Sequence, residues 1–301
     1  MTVYDLSLRH IFAFNSVAET LNMSKSAHNL FITQSAVSQT IKDMENKFTV
    51  KLFIRQNKRL CLTREGEELY IYTKKIISLL EDAQLCLENF NSLKMGRVRV
   101  GASSTIGNYL LPETVKTFNE QYPGIDIDIF IGNTHEVIDK LRLSDIDVGL
   151  IEGLPQTDDT SVKITKFMED ELIFICSPQH RFAKRKVVNL KDLSGENFII
   201  REQGSGTRQI IETEFAKRGI NVNMPYKFNN SEAIKNAVSC NLGISVLSKL
   251  IVKKDLSTNM LSRINIKGLN IYRWFYLLRI NTCNRAQNLF IRHILESAKN
   301  I

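Results

Sequence analysis

The stretch Ser24-Lys25-Ser26-Ala27-His28-Asn29-Leu30-Phe31-Ile32-Thr33-Gln34-Ser35-Ala36-Val37-Ser38-Gln39-Thr40-Ile41-Lys42-Asp43-Met44 decides how this sequence is read. Ser24 is placed to cap a short helix over residues 25–30. After Phe31-Ile32-Thr33 a second helix runs from Gln34 to Phe48. Val37, Ile41, Met44 and Phe48 recur at steps of four, three and four, the stripe of a helix that faces a core. The opposite face carries Gln34, Ser35, Ser38, Gln39 and Lys42. A helix, a short turn and a helix let the second helix enter the major groove. Gln presents a donor and an acceptor together to an adenine edge, and Ser bonds a base or a phosphate. Lys42, nearer the C-terminal end, suits a phosphate and adds affinity without sequence information. The plain alternative is a solvated polar face.

Working outward, Leu8, Ile11, Phe12, Val17, Ala18 and Leu21 make one apolar helical face upstream. Downstream, Leu52-Phe53-Ile54 and Leu60-Cys61-Leu62 read as two short strands around Arg55-Gln56-Asn57-Lys58-Arg59. Arg55, Lys58 and Arg59 make that turn a wing for neighbouring phosphates. The chain of 301 residues has 40 Lys and Arg against 32 Asp and Glu, a net charge of +8. Residues 1–63 hold eight bases against four acids, so the first fifth carries half the excess. That points to an anionic partner such as nucleic acid.

From Thr63, placed as an N-cap, to Leu93 a long helix is expected. Leu69, Tyr72, Ile76, Leu79, Ala83, Cys86 and Phe90 alternate in steps of three and four. A 3.5-residue period suits a helix that packs along a partner helix; a surface helix on its own domain is the alternative. No apolar run approaches the ~20 residues of a membrane span. Met1–His10 lacks a basic-then-apolar leader, so a cytoplasmic protein with no membrane partner is expected. Cys61, Cys86, Cys176, Cys240 and Cys283 are scattered and odd in number, which reads as reduced thiols.

Past Met95-Gly96 strands and helices alternate. Strands are expected at 97–101, 125–131, 148–151, 172–177 and 198–201, and helices at 109–122, 137–143, 207–217 and 232–239. This is the pattern of an α/β domain with mostly parallel sheets. Ser103-Ser104-Thr105 sits between a strand and a helix leading to Tyr109-Leu110-Leu111-Pro112, and its hydroxyls beside free backbone N–H groups suit an anion. Ordinary capping is the alternative. Glu202-Gln203-Gly204-Ser205-Gly206-Thr207-Arg208 follows a strand in the same way, with two glycines and a hydroxyl, but it is no Walker A loop. His10, His28, His135, His180 and His293 fall in no metal-ligand spacing, and no Gly-x-Ser-x-Gly nucleophile elbow is present. Neither an enzyme nor a bound metal or cofactor is expected.

The motif Ser26-Ala27-x-x-Leu30-x-x-x-Gln34-Ser35-Ala36-Val37-Ser38-x-x-Ile41-x-x-Met44-Glu45, followed by Leu52-Phe53-x-Arg55 and Leu62-Thr63-x-x-Gly66-Glu67, closely resembles LysR-type transcriptional regulators. Gly204-Ser205-Gly206-Thr207-Arg208, Ser231-Glu232-Ala233-Ile234-Lys235 and Leu242-Gly243-Ile244-Ser245 match later segments of one branch of that family. The resemblance implies a winged helix-turn-helix over 1–63, a dimerising linker helix over 64–94 and an effector-binding domain over 95–301. That last domain resembles periplasmic binding proteins, with one α/β lobe at 97–162 and 270–301 and a second at 163–269. Carried onto this chain, the cleft is lined by Ser103, Ser104, Thr105, Thr134, Gly204, Ser205, Gly206 and Thr207, with Glu152 and Ser231 contributing. The partners it implies are double-stranded DNA, a small anionic effector, and further copies of the chain as a homodimer and homotetramer. RNA polymerase is another. The hydroxyl-rich first loop leans towards a sulfur oxyanion; a phosphorylated or carboxylate metabolite and thiol redox state are the alternatives. Two departures stand out. Phe48-Thr49 replaces the usual Leu-Gly at the end of the reading helix, leaving its exit open, and Asn241 stands where Gly is usual.

Overall fold

In the computed structural model the described residues are 6–89, 96–153, 155, 162–280 and 284–298. The chain divides into two compact units, Met1–Ser92 with Arg142–Asp145, and Leu93–Leu141 with Ile146–Ile301.

The first unit has helices α1 (Leu8–Thr20), α2 (Met23–Asn29) and α3 (Gln34–Phe48), the hairpin β1 (Phe53–Gln56) and β2 (Arg59–Leu62), and helix α4 (Arg64–Asn89). Phe14, Val17, Val37, Met44 and Leu52 are its buried centre, each such side chain contributing about 1.5–3 kcal/mol on leaving water. The face expected for α1 is corrected: Ile11, Val17 and Ala18 are buried together with Ala13 and Phe14, while Leu8, Phe12 and Leu21 are exposed. Six apolar positions at loose helical spacing cover a wider arc than one core contact can bury. Phe48, at the last turn of α3, is exposed although it continues the stripe of Val37, Ile41 and Met44. The α2 cap is Asn22 rather than Ser24, because Asn22 Oδ1 accepts from the Ser24 and Lys25 N–H groups at 3.0 Å. Ser26 Oγ, fully buried, donates to the carbonyls of Ser16 and Asn22 at 3.0 and 2.9 Å and ties α2 to α1.

Thr49 answers the question of the helix exit. It takes φ +56°, the left-handed conformation that Gly adopts without strain. Asn57 and Lys58 both take positive φ, so β1 and β2 join through a two-residue turn of the mirror-image kind that suits strand twist. Thr63 caps α4 as expected, its Oγ1 accepting from Gly66 N–H at 3.0 Å. Tyr72 and Leu79 of α4 are exposed, Leu69 and Ile76 half-buried. The Cys86 side chain, Phe90 and the expected helix end beyond it lie outside the described residues, as does Cys283.

The second unit is built on one nine-stranded sheet. Its strands are β3 (Gly96–Ser103), β4 (Ile125–Gly132), β5 (Val148–Glu152), β6 (Val162–Cys176), β7 (Asn197–Arg201), β8 (Asn223–Phe228), β9 (Ile244–Ser248), β10 (Ser262–Ile264) and β11 (Ile271–Ile280). The order is β4-β3-β5-β11-β6-β9-β7-β8, with β10 beside β6. The expectation of mostly parallel pairing holds only within each flank, β4-β3-β5 and β9-β7-β8. The long strands β6 and β11 run antiparallel to each other and to β5 and β9. The strand expected at 172–177 is the end of β6; alternating charges hid its first part and the whole of β11 in the sequence. The order is nearly palindromic about the β11–β6 pair, and Arg273 stands opposite Asp170 on that pair. Separate apolar cores fill the two flanks, one around Phe118, Phe275 and Phe290, the other around Phe174, Phe198 and Phe215.

The helix expected at 109–122 is α6 (Leu111–Gln121), with Pro112 in its first turn, and a short helix α5 (Ser104–Tyr109) that was not expected precedes it. Helices α7 (Thr134–Arg142), α8 (Gly206–Lys217), α9 (Ser231–Ser239), α10 (Lys249–Ser257) and α11 (Arg285–Ser297) complete the unit. Asn241 takes φ +61°, the left-handed position that Gly would fill.

Candidate functional site

On α3 the side chains Gln34, Ser35, Gln39 and Lys42 are exposed and Ser38 is half-buried, all away from the core stripe. Thr33 caps the helix, its Oγ1 accepting from Ala36 N–H at 3.2 Å. Ser24, displaced from the capping role, donates to Gln34 Oε1 at 2.9 Å. That bond fixes the amide and leaves its NH2 to donate elsewhere. Gln39 Nε2 donates to Asp43 at 2.8 Å, which leaves the Gln39 oxygen as an acceptor. Arg55, Lys58 and Arg59 are exposed on the hairpin. Among the described residues, Lys42, Arg55, Lys58 and Arg59 have no acidic partner.

One buried residue sets the angle of that hairpin. Glu45 accepts from the N–H groups of Leu52 and Phe53 at 3.0 and 3.3 Å, and from Lys51 Nζ at 2.6 Å. Burial pushes its carboxyl up, but the bonds from Lys51, Leu52 and Phe53 outweigh this and hold it below the ordinary value.

In the second unit the residues expected to line a cleft fall into three groups. Thr105, Thr207 and Glu152 surround Arg273, which is 3% exposed. Arg273 donates to Thr207 Oγ1 at 2.7 Å, to Thr105 Oγ1 at 3.3 Å and to Asp170 Oδ2 at 2.6 Å. Thr207 Oγ1 donates on to Glu152 Oε1 at 3.2 Å, and Ser248 Oγ to Asp170 Oδ1 at 2.7 Å. Glu152 Oε2 lies 3.0 Å from the guanidinium but has no aligned N–H. Two carboxylates share one cation here, and burial pushes Asp170 above the ordinary carboxyl value despite Arg273 and Ser248.

Ser104 and Ser231 meet a second buried arginine, Arg201, at 3.4 and 3.3 Å. Ser104 Oγ also donates to the Gly132 carbonyl at 3.1 Å. Beside them Tyr109 donates to Glu232, and Glu232, Lys235 and Asp255 continue the chain at 3.0 and 2.9 Å. Burial and the Glu232 bond push the Tyr109 phenol well up.

Thr134, Gly204 and Ser205 line a cavity of about 360 Å3 together with His135, Gln203, Arg208 and Glu212. Thr134 Oγ1 donates to the Glu152 carbonyl at 3.2 Å. Gly206 is required at its position: a Cβ there would stand 2.1 Å from that same carbonyl oxygen. Ser103 and Ser205 hold matching positions, each the N-cap of the helix that follows a central strand, β3 or β7. Both hydroxyls are buried and have no hydrogen-bond partner among the described residues. Sequence reasoning missed Arg201, Arg273 and Asp170. The available signal was a charge interrupting an apolar strand, as in Phe198-Ile199-Ile200-Arg201 and Ile271-Tyr272-Arg273-Trp274-Phe275.

No helix among the described residues is long and apolar enough to cross a membrane, and no cluster of metal-ligating side chains occurs among them. Residues 8–67 match the family model for bacterial regulatory helix-turn-helix proteins of the lysR family, and residues 91–299 match that for the LysR substrate binding domain. The chain is 34% identical over 260 residues to the HTH-type transcriptional regulator CysL of Bacillus subtilis (strain 168), covering 86% of each. Its fold is similar to that of full-length CbnR complexed with target DNA, with TM-score 0.68 and 18% identity over 97% of this chain and 100% of that one. It is also similar to the Synechocystis PCC6803 CcmR regulatory domain in complex with 2-PG, with TM-score 0.64 and 24% identity over 69% of this chain and 99% of that one.

Proposed function

The chain belongs to the LysR family of bacterial regulators, and from that premise we propose that a small anion held in the second unit controls how the first unit reads DNA. The protein is a DNA-binding transcriptional regulator with an effector-binding domain, not an enzyme. The observation that carries the effector reading is the pair of buried, unpartnered hydroxyls of Ser103 and Ser205. A buried hydroxyl left unmatched costs about 1–3 kcal/mol, and a ligand oxygen removes that cost. The site then comprises Ser103 and Ser104, Thr134, and Gly204 to Gly206, with Ser231 at its edge. Thr105, Thr207 and Glu152 act through Arg273 to hold its walls.

A sulfur oxyanion is the first reading, because hydroxyls and backbone N–H groups match a compact tetrahedral or pyramidal anion. The room beside Ser205, about 360 Å3, favours a phosphorylated carboxylate as the second. The CcmR regulatory domain, similar in fold, was solved with 2-PG. Burial pushes the Cys176 thiol up to about 12 and keeps it protonated, which argues against Cys176 as the reactive group of a thiol sensor.

Residues 1–63 are the reader, with Gln34, Ser35, Ser38 and Gln39 at base edges and Lys42, Arg55, Lys58 and Arg59 at phosphates. The segment 64–94, with its helix Arg64–Asn89, joins two chains along the seam that exposes Tyr72 and Leu79, and 95–301 holds the effector in two lobes, 97–162 with 270–301 and 163–269. Pairs of such dimers make the tetramer. The effector shifts a balance of assembly shapes and so the spacing of the reading helices. Titration of sulfite, sulfate, thiosulfate, phosphoenolpyruvate and simple carboxylates, read by thermal shift, tests the site. Ser103→Ala with Ser205→Ala abolishes the shift; a shift of undiminished size in that variant removes the assignment.

A further inference from the structure

Arg201 closes strand β7 with its side chain 2% exposed. Its guanidinium donates to Ser104 and Ser231, which follow different strands. Two of its other N–H groups go to the next residue in the chain. Nε meets Glu202 Oε2 at 2.7 Å and Nη2 meets Glu202 Oε1 at 2.9 Å. Two parallel bonds from one guanidinium to two oxygens of one group is the geometry arginine uses for a free carboxylate, sulfate or phosphate. A guanidinium this buried needs a counter-ion, and the chain supplies one from the adjacent residue. The Glu202 side chain is 23% exposed, so solvent reaches its outer edge. Directly after it come Gln203, Gly204 and Ser205, which line the cavity, and Ser104 is the neighbour of unpartnered Ser103.

We propose that Arg201 is the charge-recognising residue of the effector site and that Glu202 is a built-in competitor, which the effector anion displaces from the guanidinium. This rests on the effector reading above. Three consequences follow from the chemistry. The ligand presents at least two oxygens to occupy the fork, so oxyanions bind and chloride does not substitute. Apparent affinity is set by how often Glu202 is away, since a site free for a fraction of the time binds weaker by that fraction. Release of Glu202 also frees the start of the loop that turns at Gly204, where φ is +85°, so anion binding and loop position are coupled.

The test uses the full-length protein, with sulfate, sulfite, inorganic phosphate and acetate as probes and sodium chloride as control, followed by calorimetry and thermal shift. Glu202→Gln removes the competing charge and is expected to bind the responding oxyanion about tenfold tighter, the gain when a competitor fills the site about nine-tenths of the time. Arg201→Lys, which keeps charge but loses the fork, is expected to lose that gain when combined with Glu202→Gln. Glu202→Ala serves as a second removal should the Gln variant fold poorly, circular dichroism reporting folding. Equal or weaker oxyanion binding by a folded Glu202 variant overturns the proposal, as does no oxyanion response from it at all. Tighter binding that survives Arg201→Lys, or an equal gain for chloride, overturns it as well. Ser103→Ala with Ser205→Ala reports separately on the hydroxyls, so loss of that reading is not mistaken for loss of this one.

Discussion

Lys42, Arg55, Lys58 and Arg59 of the first unit stand exposed with no acid beside them among the described residues, while Arg201 and Arg273 of the second are each 3% exposed and enclosed by carboxylates and hydroxyls. On the reading proposed above, the same residue types serve two kinds of anion, with Arg201 turned to the effector and Arg273 holding the walls around it. A polyanion such as DNA is met by cations left free in water, where affinity comes from displaced counter-ions and falls with salt. A small ligand is met by cations whose orientation is fixed beforehand, where the gain is selectivity and the cost is desolvation.

That contrast can be broken most forcefully at Arg273. Arg273→Met leaves Glu152 and Asp170 as buried carboxylates without a cation and is expected to destabilise the second unit by about 3–5 kcal/mol. Denaturant unfolding at neutral pH measures it; a loss below ~1 kcal/mol would make the cluster incidental. Next, Gln34→Ala is expected to relax discrimination at one base pair by about 1–3 kcal/mol. Lys42→Ala should weaken all sequences alike and flatten the salt dependence by about one unit. Competition assays on single-base operator variants separate the two, and an equal loss on every sequence for Gln34→Ala counts against base readout.

Glu45 sharpens the comparison, being a buried acid in the same unit as the exposed Lys42, Arg55, Lys58 and Arg59. Its folded pKa lies below the unfolded value, so the stability it adds is complete above the ordinary carboxylate range and is lost as pH falls through the depressed value. Glu45→Gln is expected to cost roughly 1–2 kcal/mol at neutral pH and to narrow the gap to wild type in acid. A gap that stays constant with pH would disprove the linkage. The smallest effect is a gain. Thr49→Gly relieves a β-branched residue at φ +56° and should raise stability by about 0.5–1 kcal/mol, read as a higher unfolding midpoint.

The reading helix was legible because its chemistry lies on a surface, where the 3.5- to 4-residue stripe of Val37, Ile41 and Met44 separates inside from outside. The hairpin and the capped helix after Thr63 were legible for the same local reason. The cleft was legible only as loops. Ser103 and Ser205 announced themselves as hydroxyls ahead of helices, but nothing local says that Arg201 joins Ser104 to Ser231 across 97 and 30 positions of chain. Likewise Thr105 and Thr207 looked like ligand contacts, and only the return of β11 shows that Arg273 claims both. Strand β11 and the first part of β6, ahead of the expected strand at 172–177, escaped because charges such as Asp170 and Arg273 break the apolar pattern that marks a buried strand.

Asp170 and Arg273 face each other on a single rung of the ladder that carries the chain from one flank of the sheet to the other. Sliding either strand by one residue would turn that strand's member of the pair onto the opposite surface, separating ions that have no water to return to. Translation along this ladder is thereby forbidden, whereas twisting about the rung leaves the pair intact. The pair thereby works as a pin for the register of the two long strands that run between the flanks.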